Sequence, residues 1–363
     1  ANALLAITTG AYNIAIGKNA GMAITDGAEN VLIGGLTGDN LTTGGGNTMI
    51  GQQVGGADVD VDSTVQIGRG AGNGGNKTSD ADGSVFIGTL SGWGVTTGRY
   101  NTVVGFESLR VATELDKNTA IGYQTLKAMS GSSADSDTGN TAVGYQAGLA
   151  ITTGMSNTIV GTSAGDAITT GNSNVLMGRN AGGAIIDGDN NIVLGVGAGD
   201  AITDGNYNVL LGGNNCGGAI IGGSGNVGLG GSALEAITTG DYNIALGYNS
   251  GQGNSGADHN ISLGYTAGDL TGPGNVAIGR GALSGNNSGE YNVGIGYLAG
   301  NVATTTSGSV FVGKDAGGTV TTGNNNIAVG NDAMNGATTT GDNNIAIGVS
   351  AGDALTGGNG AVF

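Results

Sequence analysis

The sequence predicts an all-β fold: a parallel β-solenoid of about 17 residues per coil and about 20 coils, with residues 1–363 as one repeat array. Three observations carry this prediction. A nine-residue phrase, clearest at Asn140-Thr141-Ala142-Val143-Gly144-Tyr145-Gln146-Ala147-Gly148, recurs from end to end. Its fifth residue marks twenty copies from Gly17 to Gly348, and fourteen of the nineteen spacings between marks are 17 residues, the others being 15, 18, 18, 20 and 22. Glycine accounts for 80 residues beside a single proline, so turns are frequent, yet the three-residue period of collagen is absent.

Within the unit, position 1 is Asn in seventeen copies, among them Asn13, Asn30, Asn140, Asn174, Asn208 and Asn344; Thr64, Ser84 and Ser309 are the exceptions. Position 2 is always β-branched, position 4 always aliphatic or Met, and position 5 always Gly, as at Gly17, Gly34, Gly144, Gly178, Gly212 and Gly348. Apolar residues at 2 and 4 predict a strand with those side chains on its inner face. Ile at position 12 followed by Thr-Thr-Gly or Thr-Asp-Gly (Thr152-Thr153-Gly154, Thr203-Asp204-Gly205) predicts a second, shorter strand and a glycine turn. Stacked coils place the asparagines above one another. Their amides then either hydrogen-bond as a ladder or merely tolerate a left-handed corner, and both readings stay open.

Position 3 points opposite to 2 and 4, so it is expected to face outward. Sixteen of its twenty residues are apolar, including Leu32, Met49, Phe86, Val103, Ile159, Leu176, Val193, Leu210 and Phe311. Soluble monomers rarely expose such a stripe. The expectation is a parallel homo-oligomer whose chains hide their position-3 residues against one another.

Ten Lys+Arg against 27 Asp+Glu leave a net charge of −17, which argues against nucleic acid and anionic membranes as partners. Cys216, the only cysteine, stands where other copies have Ala147, Ala164 or Ala181; a small buried role is expected and no intrachain disulfide can form. Neither a signal peptide nor a run of 18 apolar residues is present. The chain opens at Ala1 and closes at Phe363 in mid-repeat, so a segment of a longer protein is expected.

The NTAVGYQAG-type unit, with variants Ser84-Val85-Phe86-Ile87-Gly88 and Ser309-Val310-Phe311-Val312-Gly313, resembles the head repeats of trimeric autotransporter adhesins and the similar repeats of bacteriophage tail fibres. The resemblance spans essentially the whole chain. It implies a left-handed parallel β-roll, three chains side by side, presented outside a cell or on a virion for attachment. The 17-residue unit is longer than the typical adhesin head unit.

Several residues invite functional readings. Asn73–Gly83 and Lys127–Gly139 lengthen two units and read as surface loops, with a binding face as the alternative. Asp58, Asp60 and Asp62 alternate, with Asp80 and Asp82 about one coil on, which would suit Ca²⁺, although solvated acidic surface is the reading preferred. Five Tyr precede the repeat Asn (Tyr12, Tyr100, Tyr207, Tyr242, Tyr291) and five follow the Gly (Tyr123, Tyr145, Tyr248, Tyr265, Tyr297). They are expected to shield coil corners, with stacking on sugars as the alternative. Position 6 also carries Lys18, Arg69, Arg179, Arg280 and Lys314, so it is read as solvent-exposed. His259 is the only histidine, and Gly70-x-Gly72-x-x-Gly75 lacks a βαβ setting, so neither supports catalysis or dinucleotide binding.

The function expected is therefore non-enzymatic: an extracellular structural and adhesive fibre segment, without a cofactor, bound to copies of itself and to a host-surface glycan or protein. An ice- or glycan-binding solenoid and a polysaccharide-degrading tailspike-like protein are the alternatives.

Overall fold

Three residues of each repeat, positions 2–4, form a strand, and every such strand lies parallel to the strand of a neighbouring coil, position upon position: Ile14 on Val31, Ala15 on Leu32, Ile16 on Ile33. The computed structural model describes residues 2–75, 77, 81–130, 137–213, 215–253, 256–285 and 288–363. Two compact units divide the chain, Ala1–Asp187 and Gly188–Phe363, each a parallel β-solenoid. The first holds strands β1 (Ile14–Ile16) to β10 (Val175–Met177), the second β11 (Ile192–Leu194) to β20 (Ile345–Ile347). No α-helix occurs among the described residues.

The glycine at position 5 is required twice over. Gly34 has φ +140°, and a Cβ on it would lie 2.0 Å from the carbonyl oxygen of Gly51 in the next coil. Gly144 and Gly212 have φ +143° and +159° and would meet Gly161 and Gly230 in the same way. A side chain would therefore break the stacking distance, whatever the turn tolerated.

The asparagine forms the ladder. Asn30 Nδ2 donates to Asn13 Oδ1 (3.0 Å) and to the carbonyl of Gly44 (2.9 Å), and Asn13 Oδ1 also accepts the Asn30 backbone N–H at 3.0 Å. Asn174, Asn208 and Asn344 repeat the pair of bonds on Asn157, Asn191 and Asn326, while Asn140 keeps the backbone bond to Asn118 and sends its Nδ2 to the Gly154 carbonyl. The left-handed corner sits one residue earlier, at Tyr12, Tyr242 and His259 (φ +59°, +56° and +61°). Ser and Thr substitute because a hydroxyl reaches the same partners: Thr64 Oγ1 donates to Asn47 Oδ1 at 2.8 Å.

The direction of the strand side chains reverses the expectation. Leu32, Met49, Phe86, Val103, Ile159, Leu176, Val193, Leu210 and Phe311 are all fully buried within the chain's own coils, not turned outward. Positions 2 and 4 face out and are half-buried or exposed. Parity explains the reversal. Positions 1 and 3 lie on the same face of a strand, and a dry asparagine ladder forces position 3 inward with it. The expected second strand is also absent among the described residues, where only isolated bridges such as Val320 on Thr339 occur. At positions 13–15 three successive N–H groups, of Thr25, Asp26 and Gly27, converge on the one carbonyl of Thr42 (3.0, 3.4 and 3.2 Å), which is a turn and not a ladder.

The core is therefore thin, built from positions 3, 8, 9 and 12, and in several coils it fills by exchange of volume between positions 3 and 9. Phe86 and Phe311 at position 3 face Gly92 and Gly317 at position 9, where a Cβ would come within 2.1 Å of the ring. Where position 3 shrinks to Ala120, Gly228, Ala277 or Ala328, position 9 grows to Leu126, Leu234, Leu283 or Met334, and all eight are interior. These large residues hold φ near +50°, so filling the space outweighs about 1 kcal/mol of left-handed backbone cost.

Candidate functional site

Strand parity also decides what solvent meets. Positions 2 and 4 present Ile16, Ile121 and Met177 in the first unit, and Ile192, Leu229, Leu246 and Ile295 in the second, all substantially exposed. No charged side chain interrupts these two columns in any strand. The sheet face of each unit is thus an uncharged, largely apolar strip of β-branched and aliphatic side chains, with the hydroxyls of Thr48, Thr102, Thr119, Thr141 and Thr158 along position 2 of the first unit.

Beside it runs an aromatic column at position 6. Phe106, Tyr123 and Tyr145 stack at 5.5 and 5.1 Å between ring centres, nearly parallel at 8° and 6°. In the second unit Tyr248 and Tyr265 stack at 5.9 Å, and the Arg280 guanidinium lies 5.6 Å from the Tyr265 ring and 5.7 Å from that of Tyr297. Both faces of Tyr123 and of Tyr265 are thereby occupied by neighbours, leaving their edges to solvent. That arrangement covers the coil corner and leaves those faces closed to a sugar ring. At position 17, Tyr242 packs against His259 at 5.4 Å, so the only histidine is an exposed corner residue.

The acidic residues have a structural use that the sequence reading missed. A second side-chain ladder runs at position 16, where an Asp or Asn oxygen accepts the backbone N–H of the same position one coil earlier. Arg99 N–H donates to Asp116 (2.8 Å), Met155 to Asn172 (2.9 Å), Ser224 to Asp241 (2.7 Å) and Asp241 to Asp258 (2.8 Å). Asp62 and Asp82 belong to this ladder: Gly45 N–H donates to Asp62 at 2.5 Å and Asp62 N–H to Asp82 at 2.7 Å.

Asp58 does not join them, because it occupies position 12, the inward Ile position. Its Oδ1 pairs with Lys77 Nζ at 3.0 Å and its Oδ2 accepts from Gln66 Nε2 at 2.7 Å, while Lys77 also donates to the Gly72 carbonyl. Both charged side chains are fully buried. Burial pushes the Asp58 carboxyl above its ordinary value, and the Lys77 charge and hydrogen bonds draw it back in part. Asp80 lies outside the described residues, as do parts of the two lengthened segments. Of the acidic residues singled out in the sequence, Asp58 thus belongs to an inward ion pair, Asp62 and Asp82 to a backbone-capping column, and Asp60 to neither. Among the described residues no three His, Cys, Asp or Glu side chains gather closely enough to hold a metal ion.

Cys216 sits fully buried at position 8, and burial pushes its thiol up to about 11. The Gly70 and Gly72 of the chance dinucleotide pattern are left-handed corner residues, φ +64° and +60°. The Thr row is half committed internally: Thr152 and Thr169 hydroxyls donate to the carbonyls of Thr169 and Ile186 at 3.1 and 3.2 Å. No helix among the described residues is long and apolar enough to cross a membrane. No protein-family model matches the chain, and no curated protein matches it.

Proposed function

We propose that this chain is a segment of an extracellular attachment fibre, assembled from several parallel copies and presented on a cell or virion surface. The observation that carries the reading is the apolar strip of positions 2 and 4. It recurs in every coil, it carries no charge, and the chain's own residues leave it half wet. Burying such a strip against a sister chain would recover about 25 cal/mol for each Å² removed from water. This moves the expected contact from position 3 to its outward neighbours on the same strands. The net charge of −17 supports the reading from the other side, since like-charged flanks discourage clumping and leave the strip as the favoured contact.

Three chains, left-handed coils and the adhesive role follow from the resemblance to adhesin head repeats and tail-fibre repeats. The stacked corner aromatics and the two side-chain ladders suit a body that must stay stiff. No catalytic step belongs to this function. Sedimentation equilibrium on the whole chain tests it: a particle of three chain masses at micromolar concentration is the expected result. A folded particle of one chain mass at that concentration would remove the multichain fibre.

A further inference from the structure

Position 10 is acidic in several coils, at Asp39, Asp166, Asp200, Glu235, Asp269 and Asp353. In three successive coils of the first unit it becomes Trp93, Arg110 and Lys127. Six of the ten Lys and Arg of the chain fall between Arg69 and Lys127, in a protein of net charge −17. A local inversion of sign of this kind needs a reason, and the geometry supplies one.

Trp93, the only tryptophan, walls a cleft of about 390 Å³. Arg110, Lys127, Thr96 and Thr113 complete the lining, with Gly74 and Gly75 at its base. Gly74 is glycine because a Cβ there would lie 2.2 Å from the indole ring, so the ring is seated directly on the backbone. The Arg110 guanidinium stands 5.9 Å from the ring centre. One carboxylate holds both cations: Glu107 Oε1 takes Arg110 Nη1 at 2.9 Å and Oε2 takes Lys127 Nζ at 2.7 Å. Gln124 Nε2 adds a hydrogen bond to the same oxygen at 2.9 Å. Two positive charges thus share one negative, which fixes both head groups and leaves one positive charge in excess. Trp93 and Arg110 are each a little over one-third exposed and so reach solvent.

We infer that this cleft binds one anionic pyranose of an acidic polysaccharide, its carboxylate or sulfate toward Arg110 and Lys127, its hydroxyls toward Thr96 and Thr113, and the exposed edge of Trp93 along one side. The volume fits one or two sugar rings, and fixed cationic donors beside two hydroxyls and an indole edge are the arrangement a charged sugar needs. Among the described residues, the position-6 aromatics have no pair of cations beside them of the kind that Arg110 and Lys127 supply here. For its biological role the inference rests on the attachment function proposed above; for its chemistry it does not.

The single tryptophan makes the test direct. Its fluorescence on the whole chain is titrated with tetragalacturonate, a heparin tetrasaccharide, maltotetraose and sodium sulfate. A saturable change with either acidic sugar, at least tenfold tighter than with maltotetraose or sulfate, is the expected result; the two acidic probes separate carboxylate from sulfate recognition. Arg110→Gln should weaken binding about tenfold or more, equivalent to about 1.4 kcal/mol. Glu107→Gln should tighten it severalfold by freeing both cations, a change that a purely structural role for these residues does not produce. Circular dichroism identifies any variant that fails to fold, and Lys127→Gln then repeats the test. No saturable response to the acidic sugars, an equal response to maltotetraose or to sulfate, or indifference to both substitutions would overturn the inference. Oligomer mass is measured separately, so failure of the ligand and failure of the fibre are distinguishable.

Discussion

Exchanging the sizes of positions 3 and 9 within one coil should transplant the packing of one repeat into another. In the coil that begins at Ser84, Phe86 fills the core and Gly92 yields to it; a Cβ at Gly92 would lie 2.1 Å from the ring. Gly92→Leu alone adds about 1 kcal/mol of left-handed backbone cost and about 1–3 kcal/mol of overpacking. Phe86→Ala alone leaves a cavity worth about 3–5 kcal/mol. The pair together recreates the arrangement that Ala120 and Leu126 already have, with Leu126 at φ +51°. Overpacking and cavity then cancel, and the double variant should lose only about 1–2 kcal/mol, mostly backbone cost. The coupling is therefore at least about 3 kcal/mol in favour of the pair, already at the top of the usual range for contacting residues. Trp93 is adjacent in sequence, so its fluorescence during urea unfolding reports this coil even if the solenoid unfolds in stages. Additivity of the two single effects to within about 0.5 kcal/mol would refute the volume-exchange argument.

Lys77→Met should cost about 3–5 kcal/mol by stranding the Asp58 carboxylate, whereas Asp58→Leu, Gln66→Leu and Lys77→Met together should match or exceed the native chain in urea unfolding. In Lys77→Met the Asp58 pKa, already raised by burial, loses its main counterweight. A raised carboxyl contributes stability below its unfolded value and loses it as pH climbs through the folded value, so this variant should be most stable at acid pH. Asn208→Ala strands the Gly223 carbonyl and the Asn226 N–H. A loss of about 3 kcal/mol and faster amide exchange in the flanking coils are expected, with a smaller loss for Asn208→Ser. Cys216, its thiol pushed up to about 11 from 9.0, should resist maleimide at neutral pH and react only on unfolding. Because the thiol's pKa is raised, its contribution to stability should hold below pH 9.0 and fall away toward about pH 11.

The period, the strand and the glycine were legible because each repeats one physical demand at a fixed spacing. The reversal at position 3 was legible too, since an asparagine buried in a ladder shares its face with position 3 and not with position 2. Reading β-branched positions 2 and 4 as interior overlooked that constraint: such residues favour the strand backbone whichever way they point. The second ladder at position 16 was hidden because Asp, Asn and Ser share the column, and a mixed column looks like solvated surface. Asp58 looked like one of three alternating acids until its register placed it at the Ile position. Trp93, Arg110 and Lys127 are seventeen residues apart, so only a coil register brings them to one cleft, and single residues in a list do not suggest it.

Peroxide footprinting of the methionines, read by mass spectrometry across protein concentration, tests both halves of the account at once. Met49 at position 3 and Met129 at position 12 are fully buried, while Met177 at position 4 and Met155 at position 16 are 46% and 45% exposed. The account predicts that Met49 and Met129 resist oxidation at every concentration and Met155 oxidises at every concentration. Met177 should oxidise in the dilute chain and become protected as copies assemble. Oxidation of Met49 in the folded dilute chain, with Met177 protected there, would contradict it.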